Sequence, residues 1–322
     1  MYYILISLIL IAIILIYFKI ADRFNIIDKP NQRSSHTSIT LRGGGIIFYF
    51  GVLSFFIYSG FQYSWFFLGL TLITLISFLD DILTLSNKLR LSVHLIAMAL
   101  LFYQLNLFDQ PWYWIVMAFI LFIGITNAYN FMDGINGITG VYSIAVLAGL
   151  WMLNNYHVNF IENDLIYCTS LSVMVFNFYN FRKKAKCFAG DVGSIAIAFI
   201  LLFMIGKLLL VQPSIVPVLL LGVYGVDSVL TIIHRLLLKE NIFQAHRKHL
   251  YQILANEAKV PHLLVASAYA LVQLALNFVV LLLLKVDVGI AAIILLVLSV
   301  LLILAVIYII VKRKYFHLHQ LA

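Results

Sequence analysis

Long apolar runs, each closed by a short polar segment, recur from end to end of this 322-residue chain. They fall near residues 2–18, 45–61, 64–79, 91–107, 111–126, 138–153, 165–181, 194–210, 215–234, 262–284 and 288–311. Runs of about 16–24 residues span or nearly span a hydrocarbon core of about 30 Å. Inside lipid each backbone amide needs an internal partner, so continuous apolar runs become helices. They do not alternate as porin strands do, which argues against a barrel. The pattern predicts an all-α polytopic integral membrane protein with about eleven transmembrane helices. Residues 1–322 read as a single membrane-embedded domain, with no soluble domain, low-complexity linker or internal repeat. The first run reads as a retained span rather than a cleavable signal, because its first positive charge, Lys19, follows the apolar stretch.

Composition agrees: 64% of residues are hydrophobic and 11% charged, against about 45–50% and about 25% in soluble domains. The formal net charge of +8 could point to nucleic acid, but its distribution does not. Lys and Arg number 5 in 19–42, 2 in 88–90, 4 in 182–186, 5 in 235–259 and 3 in 312–314. That places 19 on alternate loops and leaves only Lys207 and Lys285 for the other side. The positive-inside rule makes the basic side cytoplasmic. The N-terminus is then outside, the C-terminus is cytoplasmic, and no nucleic-acid partner is implied. Cys168 and Cys187 fall on opposite sides of the membrane, so a disulfide is not expected.

Candidate chemistry gathers on that basic side. The first inner loop carries Asp28, then Arg33, His36 and Arg42, which offer hydrogen-bond donors suited to phosphate, before Gly43–Gly45, whose backbone permits close approach. A plain basic loop with packing glycines would look similar. The second begins with Asp80-Asp81, an adjacent pair that is costly at a helix end unless hydrated, paired or bound to a cation, and continues to Lys88 and Arg90. The third spaces Asn127, Asn130 and Asp133 three apart before Gly134, which puts them on one helical face. The fourth sets Asp191 between Gly190 and Gly193 at a helix N-terminus, after the basic run Arg182–Lys186. There it could cap the helix or carry a hard cation to a phosphate. The fifth holds His246, Arg247 and His249, with the histidines i, i+3 on an expected helix. Without further ligands nearby these argue for phosphate contact or proton transfer rather than zinc. Asp227, ionisable within a span, reads as functional by default. His94, His157, His317 and His319 carry no assigned role.

Carboxylates ringed by cations at a membrane boundary suit Mg²⁺ and phosphates, with one substrate arriving from lipid and the other from water. The ordered set Asp28…Pro30-Asn31-x-Arg33-Ser-Ser-His36…Arg42-Gly-Gly-Gly45, Asp80-Asp81, Asn127-x-x-Asn130-x-x-Asp133-Gly, Gly190-Asp191-x-Gly193-Ser194 and His246-x-x-His249 resembles the polyprenyl-phosphate N-acetylhexosamine-1-phosphate transferases (glycosyltransferase family 4). The resemblance covers essentially the whole chain and is nearest the O-antigen-initiating branch.

It implies transfer of N-acetylhexosamine 1-phosphate from a UDP-sugar to undecaprenyl phosphate in the bacterial inner membrane, with release of UMP. The product would start a lipid-linked envelope glycan such as O-antigen. Mg²⁺ is implied as cofactor, with Mn²⁺ able to substitute; membrane lipid is a partner, and a homodimer is left open. By the same resemblance Asp80, Asp81, Asp191, Lys88, His246 and His249 are catalytic. Arg33, His36, Arg42, Asn127, Asn130, Asp133, Gly134 and Arg247 bind substrate, and Asp191 and Asp133 hold the metal. Asn136 stands where the family often has a second Asp. A muramoyl-pentapeptide donor fits less well, because the last motif lacks a tight histidine cluster. A lipid-linked glycan flippase would line a path across the membrane, whereas these polar groups stop at one face. A CDP-alcohol phosphotransferase would need Asp-Gly followed by Ala-Arg, and Asp133-Gly134 is followed by Ile-Asn-Gly.

Overall fold

The structure, a computed structural model, describes residues 2–30, 35, 38–83, 85–242, 244 and 246–321, the side chains of 318–321 excepted. Arg33 and His36 lie outside the described residues. Every predicted run is helical. In order these are α1 (Tyr2–Arg23), α2 (Ile47–Tyr58), α3 (Ser64–Leu83), α4 (Asn87–Gln104), α5 (Trp112–Met132) and α6 (Ile138–Tyr156). They continue with α7 (Asn163–Asn180), α8 (Gly190–Val211), α9 (Gly222–Leu237), a single turn α10 (Leu250–Gln252), α11 (His262–Leu283) and α12 (Ile290–Leu321). A 3₁₀ turn, Gly44–Ile46, leads into α2, and a longer one, Val216–Leu221, leads into α9.

Among the described residues, eight segments are long and apolar enough to cross a membrane: α1, α3, α5, α6, α8, Val216–Leu237, α11 and Ile290–His317. Of the remaining runs, Gly44–Tyr58 is shorter, and α4 and α7 are helices of 18 residues with polar first turns. The chain is thus a multi-pass membrane protein.

Apolar residues all around a helix require partners on every side or lipid on every side, and α8 and α12 illustrate the two outcomes. In α8, 72% of the apolar window is buried, against α3, α5, α6 and α2. In α12 only 6% is buried, so its leucines and isoleucines are left to lipid. Polar side chains inside the bundle bond to backbone carbonyls of the 3₁₀ turn before α9 and of α6. Gln273 of α11 donates to the Leu219 carbonyl at 3.0 Å and accepts from the Tyr142 hydroxyl at 2.8 Å. One turn on, Asn277 donates to the Ala145 carbonyl at 2.6 Å.

At the charged end a strap that the all-α expectation did not contain crosses the bundle. Two-residue strands β1 (Ile27–Asp28) and β2 (Thr40–Leu41) pair antiparallel, too short to show alternation in sequence. Beyond β2 the Phe188 amide donates to the Leu41 carbonyl at 2.8 Å. The Gly44 and Gly45 amides in turn donate to the carbonyls of Phe188 and Ala189, at 2.8 and 3.1 Å. The strap is thereby zipped to the residues that enter α8. Glycine is required at the crossing, because a Cβ on Gly45 would lie 2.3 Å from the Gly193 Cα.

Gly193→Val should therefore force the strap off α8 and lower the melting temperature in detergent, at a cost of about 1–3 kcal/mol. Gly124→Ala, where an added Cβ meets nothing within 4 Å, should leave it unchanged. Equal melting temperatures for the two variants would refute the contact's importance.

Candidate active site

The strap, the last turn of α3 and the first turns of α4 and α8 bring three carboxylates and two guanidiniums together. Asp81 is the innermost, its side chain 0% exposed. Its oxygens accept from the backbone amides of Asp191 and Val192, both at 3.1 Å, so a residue of α3 caps the N-terminus of α8. Unpaired amides at a helix start favour a negative charge, which reduces the penalty of burying it. Gly190, at φ 72°, leaves room, since a Cβ there would lie 2.5 Å from the Asp81 carboxylate. Arg42 completes the arrangement, its Nε 2.7 Å from Asp81 and its Nη2 3.3 Å from Asp191. Although burial opposes the Arg42 charge, Asp81, Asp191 and Asp28 raise its pKa overall.

Arg90 makes the second bridge. It pairs with Asp80 and lies 3.6 Å from Asp191, while Asp80 also accepts from the Leu85 amide at 2.7 Å. Arg42 spans two carboxylates through two nitrogens of its planar fork, which a lysine point charge would not do, whereas Arg90 faces both of its carboxylates with Nη1. Asp191, shared by both arginines, retains 17% exposure.

Asp191 and Arg42 open into a cavity of about 360 Å³ that also contains Asn130, Asp133, Gly134 and Asn136. Asp133 ends α5 and accepts from the Thr139 hydroxyl at 2.6 Å. Burial raises its pKa to about 6, against the pull of Thr139, with Asp191 raising it further. Asn130 accepts from Ser194 at 3.0 Å, joining α5 to α8. Among the described residues no three His, Cys, Asp or Glu side chains converge as a metal cage. Mg²⁺, however, commonly takes one or two carboxylates and completes its shell with water and phosphate. Asp133 and Asp191, which line the cavity together with Asp28, fit that demand.

The structure distributes the sequence-predicted residues unevenly. Asp191, Asp133, Asn130, Gly134 and Arg42 share the cavity, and Asp80 and Asp81 join it through the arginine bridges. Lys88 and Asn127 are exposed, and neither lines the cavity. Arg247 pairs with Glu257 at 3.1 Å. His246 and His249 do not sit i, i+3 on a helix: residues 246–248 are coil, and His249 is the N-cap of α10. Their rings stack with centroids 5.0 Å apart. Burial first, then His249 and Arg235, lower the pKa of His246 to about 3, which leaves it neutral at ordinary pH.

Other cavity residues had no single-sequence signal. Gln252 follows α10's cap, His262 opens α11, and Asn180 ends α7. Asn180 accepts from the Gly137 amide at 2.7 Å and donates to the Cys187 carbonyl at 2.8 Å. Asn136 explains its own departure from the expected Asp: its amide donates to the carbonyls of Arg182 and Lys183, at 2.9 and 3.2 Å. A carboxylate has no hydrogen to give them.

Comparison with known proteins adds an independent line. Residues 63–208 match Glycosyl transferase family 4. The chain is 28% identical over 259 residues to the probable undecaprenyl-phosphate N-acetylglucosaminyl 1-phosphate transferase of Bacillus subtilis (strain 168), covering 72% of this chain and 70% of that protein. It is 24% identical over 282 residues to the undecaprenyl-phosphate alpha-N-acetylglucosaminyl 1-phosphate transferase of Escherichia coli (strain K12), covering 78% and 75%. Similarity to the phospho-N-acetylmuramoyl-pentapeptide-transferase of Thermotoga neapolitana is 31% over 148 residues, covering 40% and 48%.

Asn136→Asp should place a carboxylate against two carbonyls and destabilise the protein by about 1–3 kcal/mol. A fall in detergent melting temperature checks this. A melting temperature at or above that of the wild type would remove the structural role given to the Asn136 amide.

Proposed function

We propose, for a chain whose residues 63–208 make it a member of glycosyl transferase family 4, that it transfers N-acetylhexosamine 1-phosphate from a UDP-sugar to undecaprenyl phosphate. UMP is released, and the product starts a lipid-linked envelope glycan such as O-antigen. The observation that carries this reading is the placing of Asp133, Asp191 and Arg42 on one cavity at the ends of membrane-crossing helices. The names of the Bacillus subtilis and Escherichia coli relatives support undecaprenyl phosphate as acceptor and N-acetylglucosamine as the sugar.

In the proposed reaction an oxygen of the acceptor phosphate attacks the phosphorus that carries the sugar. The bridging P–O bond of the diphosphate breaks, and UMP leaves with its electron pair. Asp133 and Asp191 would hold Mg²⁺, which when bound would offset the negative charge of the diphosphate. Arg42 and Arg90, already fixed by the carboxylates, would offer N–H donors to phosphate oxygens. Asp80, whose side chain keeps 9% exposure beside Arg90, would position the acceptor phosphate. Asp81, wholly buried, would act through Arg42 and the start of α8. The basic loops would face the cytoplasm, so the site would take its nucleotide sugar from that side of a bacterial inner membrane.

Membranes containing the protein should convert undecaprenyl phosphate and UDP-N-acetylglucosamine to lipid-linked sugar phosphate and UMP. Excess chelator should abolish turnover. Asp191→Asn should reduce it by more than the ~10–100-fold typical of losing an outer-shell partner. Full activity in chelator or in that variant would sink the metal assignment, and turnover only with a different UDP-sugar would move the donor. Cys168 and Cys187 are buried, so single introduced cysteines can report orientation. Asp109→Cys should react with an impermeant maleimide in intact cells, and Lys184→Cys only after permeabilisation; the reverse would invert the topology.

A further inference from the structure

A second polar centre lies apart from the cavity, in the interior between α9, α11, α12 and the loop that carries His249. Asp227 of α9 is 1% exposed; three groups donate to it, and a ring nitrogen of His249 lies beside it. Its Oδ1 takes the Leu250 amide at 3.0 Å and the Thr231 hydroxyl at 3.1 Å and lies 3.2 Å from His249 Nδ1; Oδ2 takes the Tyr269 hydroxyl at 2.7 Å. From Thr231 the chain continues to the Tyr308 hydroxyl at 2.7 Å and to Lys312 Nζ, which bonds to both hydroxyls. Lys312 is itself 5% exposed. An ammonium only donates and a carboxylate only accepts. The hydroxyls between them must therefore direct their hydrogens toward Asp227.

The same reasoning fixes the imidazole. With an acceptor-only group against Nδ1, the ring proton belongs on Nδ1, and Nε2 is left with its lone pair. That nitrogen is buried and has no hydrogen-bond partner among the described residues. Leaving a buried polar atom unpaired is costly, so a preserved lone pair there marks a position held for a proton or a donor that arrives later. The loop around it is anchored: Arg235, 3% exposed, donates to the carbonyls of Asn241, Ile242 and Gln244. Three residues after His249 comes Gln252, which lines the cavity.

We infer that Asp227 is a positioning residue for the transfer: it holds His249, three residues before the cavity-lining Gln252, in the Nδ1–H tautomer with the lone pair left on Nε2. Carboxylates paired behind a working histidine set its tautomer and orientation in this way. The competing arrangement is explicit in the fold. His249 is also the N-cap of α10, and Nδ1 used as a cap would accept from the helix, leaving the ring proton on Nε2.

The activity arm of the test rests on the transferase reading; the spectroscopic arm does not. The purified protein with ¹⁵N-labelled histidine carries nine imidazoles, and the His249 signals are those lost in His249→Gln. A Nδ1–H pattern for His249 in the otherwise unaltered protein is expected, and a Nε2–H pattern overturns the proposal without any Asp227 variant having to fold. Asp227→Asn keeps an acceptor oxygen and should keep the Nδ1–H pattern. Asp227→Leu, similar in size with no acceptor, should lose it, and turnover number should fall ~10–100-fold with little change in KM. Equal spectra and equal turnover in the Asn and Leu variants would also overturn the proposal, because charge pairing with Lys312 would then be the only role. A wild-type Nδ1–H pattern with no transfer of any UDP-sugar would instead preserve the tautomer assignment and defeat the reaction.

Discussion

Burying a carboxylate at a membrane boundary is unfavourable unless its charge is met on several sides at once, and Asp81 meets that condition with three partners from two other parts of the chain. Two are the first amides of α8, and the third is the Arg42 guanidinium. Because the cap comes from α3 and the counter-ion from the strap, neither helix nor strap has an independent position. The partners of Asp81 also set the distance between Arg42 and Asp191, and Arg90 repeats the device between Asp191 and Asp80. Removing one partner would leave an uncompensated buried charge, which is far more disruptive than the pair's net worth suggests.

Neutral amides support the same end of the molecule where charges would fail. Asn136 and Asn180 each satisfy backbone groups of neighbouring segments, so the glycine-rich turn after α5 and the basic loop after α7 are held to one another. The Asp227 network does the comparable task for α9, α11 and α12. Both rely on acceptors and donors whose directions are fixed by chemistry rather than by packing.

Much of this was readable in the chain. Apolar runs become helices with little ambiguity in lipid, because no other backbone state pairs its own amides. The aspartates stood out because carboxylates at the ends of such runs need a reason. What the sequence did not disclose are partnerships between distant segments. That Asp81 caps a helix more than a hundred residues later, or that Asn180 and His262 belong to one cavity, depends on which helices pack together, and periodicity carries no record of that. The i, i+3 spacing of His246 and His249 misled for a local reason. The helix begins only after His249, so the spacing belonged to a coil and a cap, and the rings meet by stacking instead.

The glycine crossing has a mechanical consequence. At Gly45 and Gly193 two backbones touch with no side chain between them to slide or repack, so the strap, α8 and the residues borne on them behave as an anvil. Gln252 and His262 also line the cavity, before and after the π-helical turn Ile253–Glu257 in the chain, a conformation frequent at functional sites. Among the described residues, no such backbone-to-backbone glycine crossing involves the wall that carries Gln252 and His262.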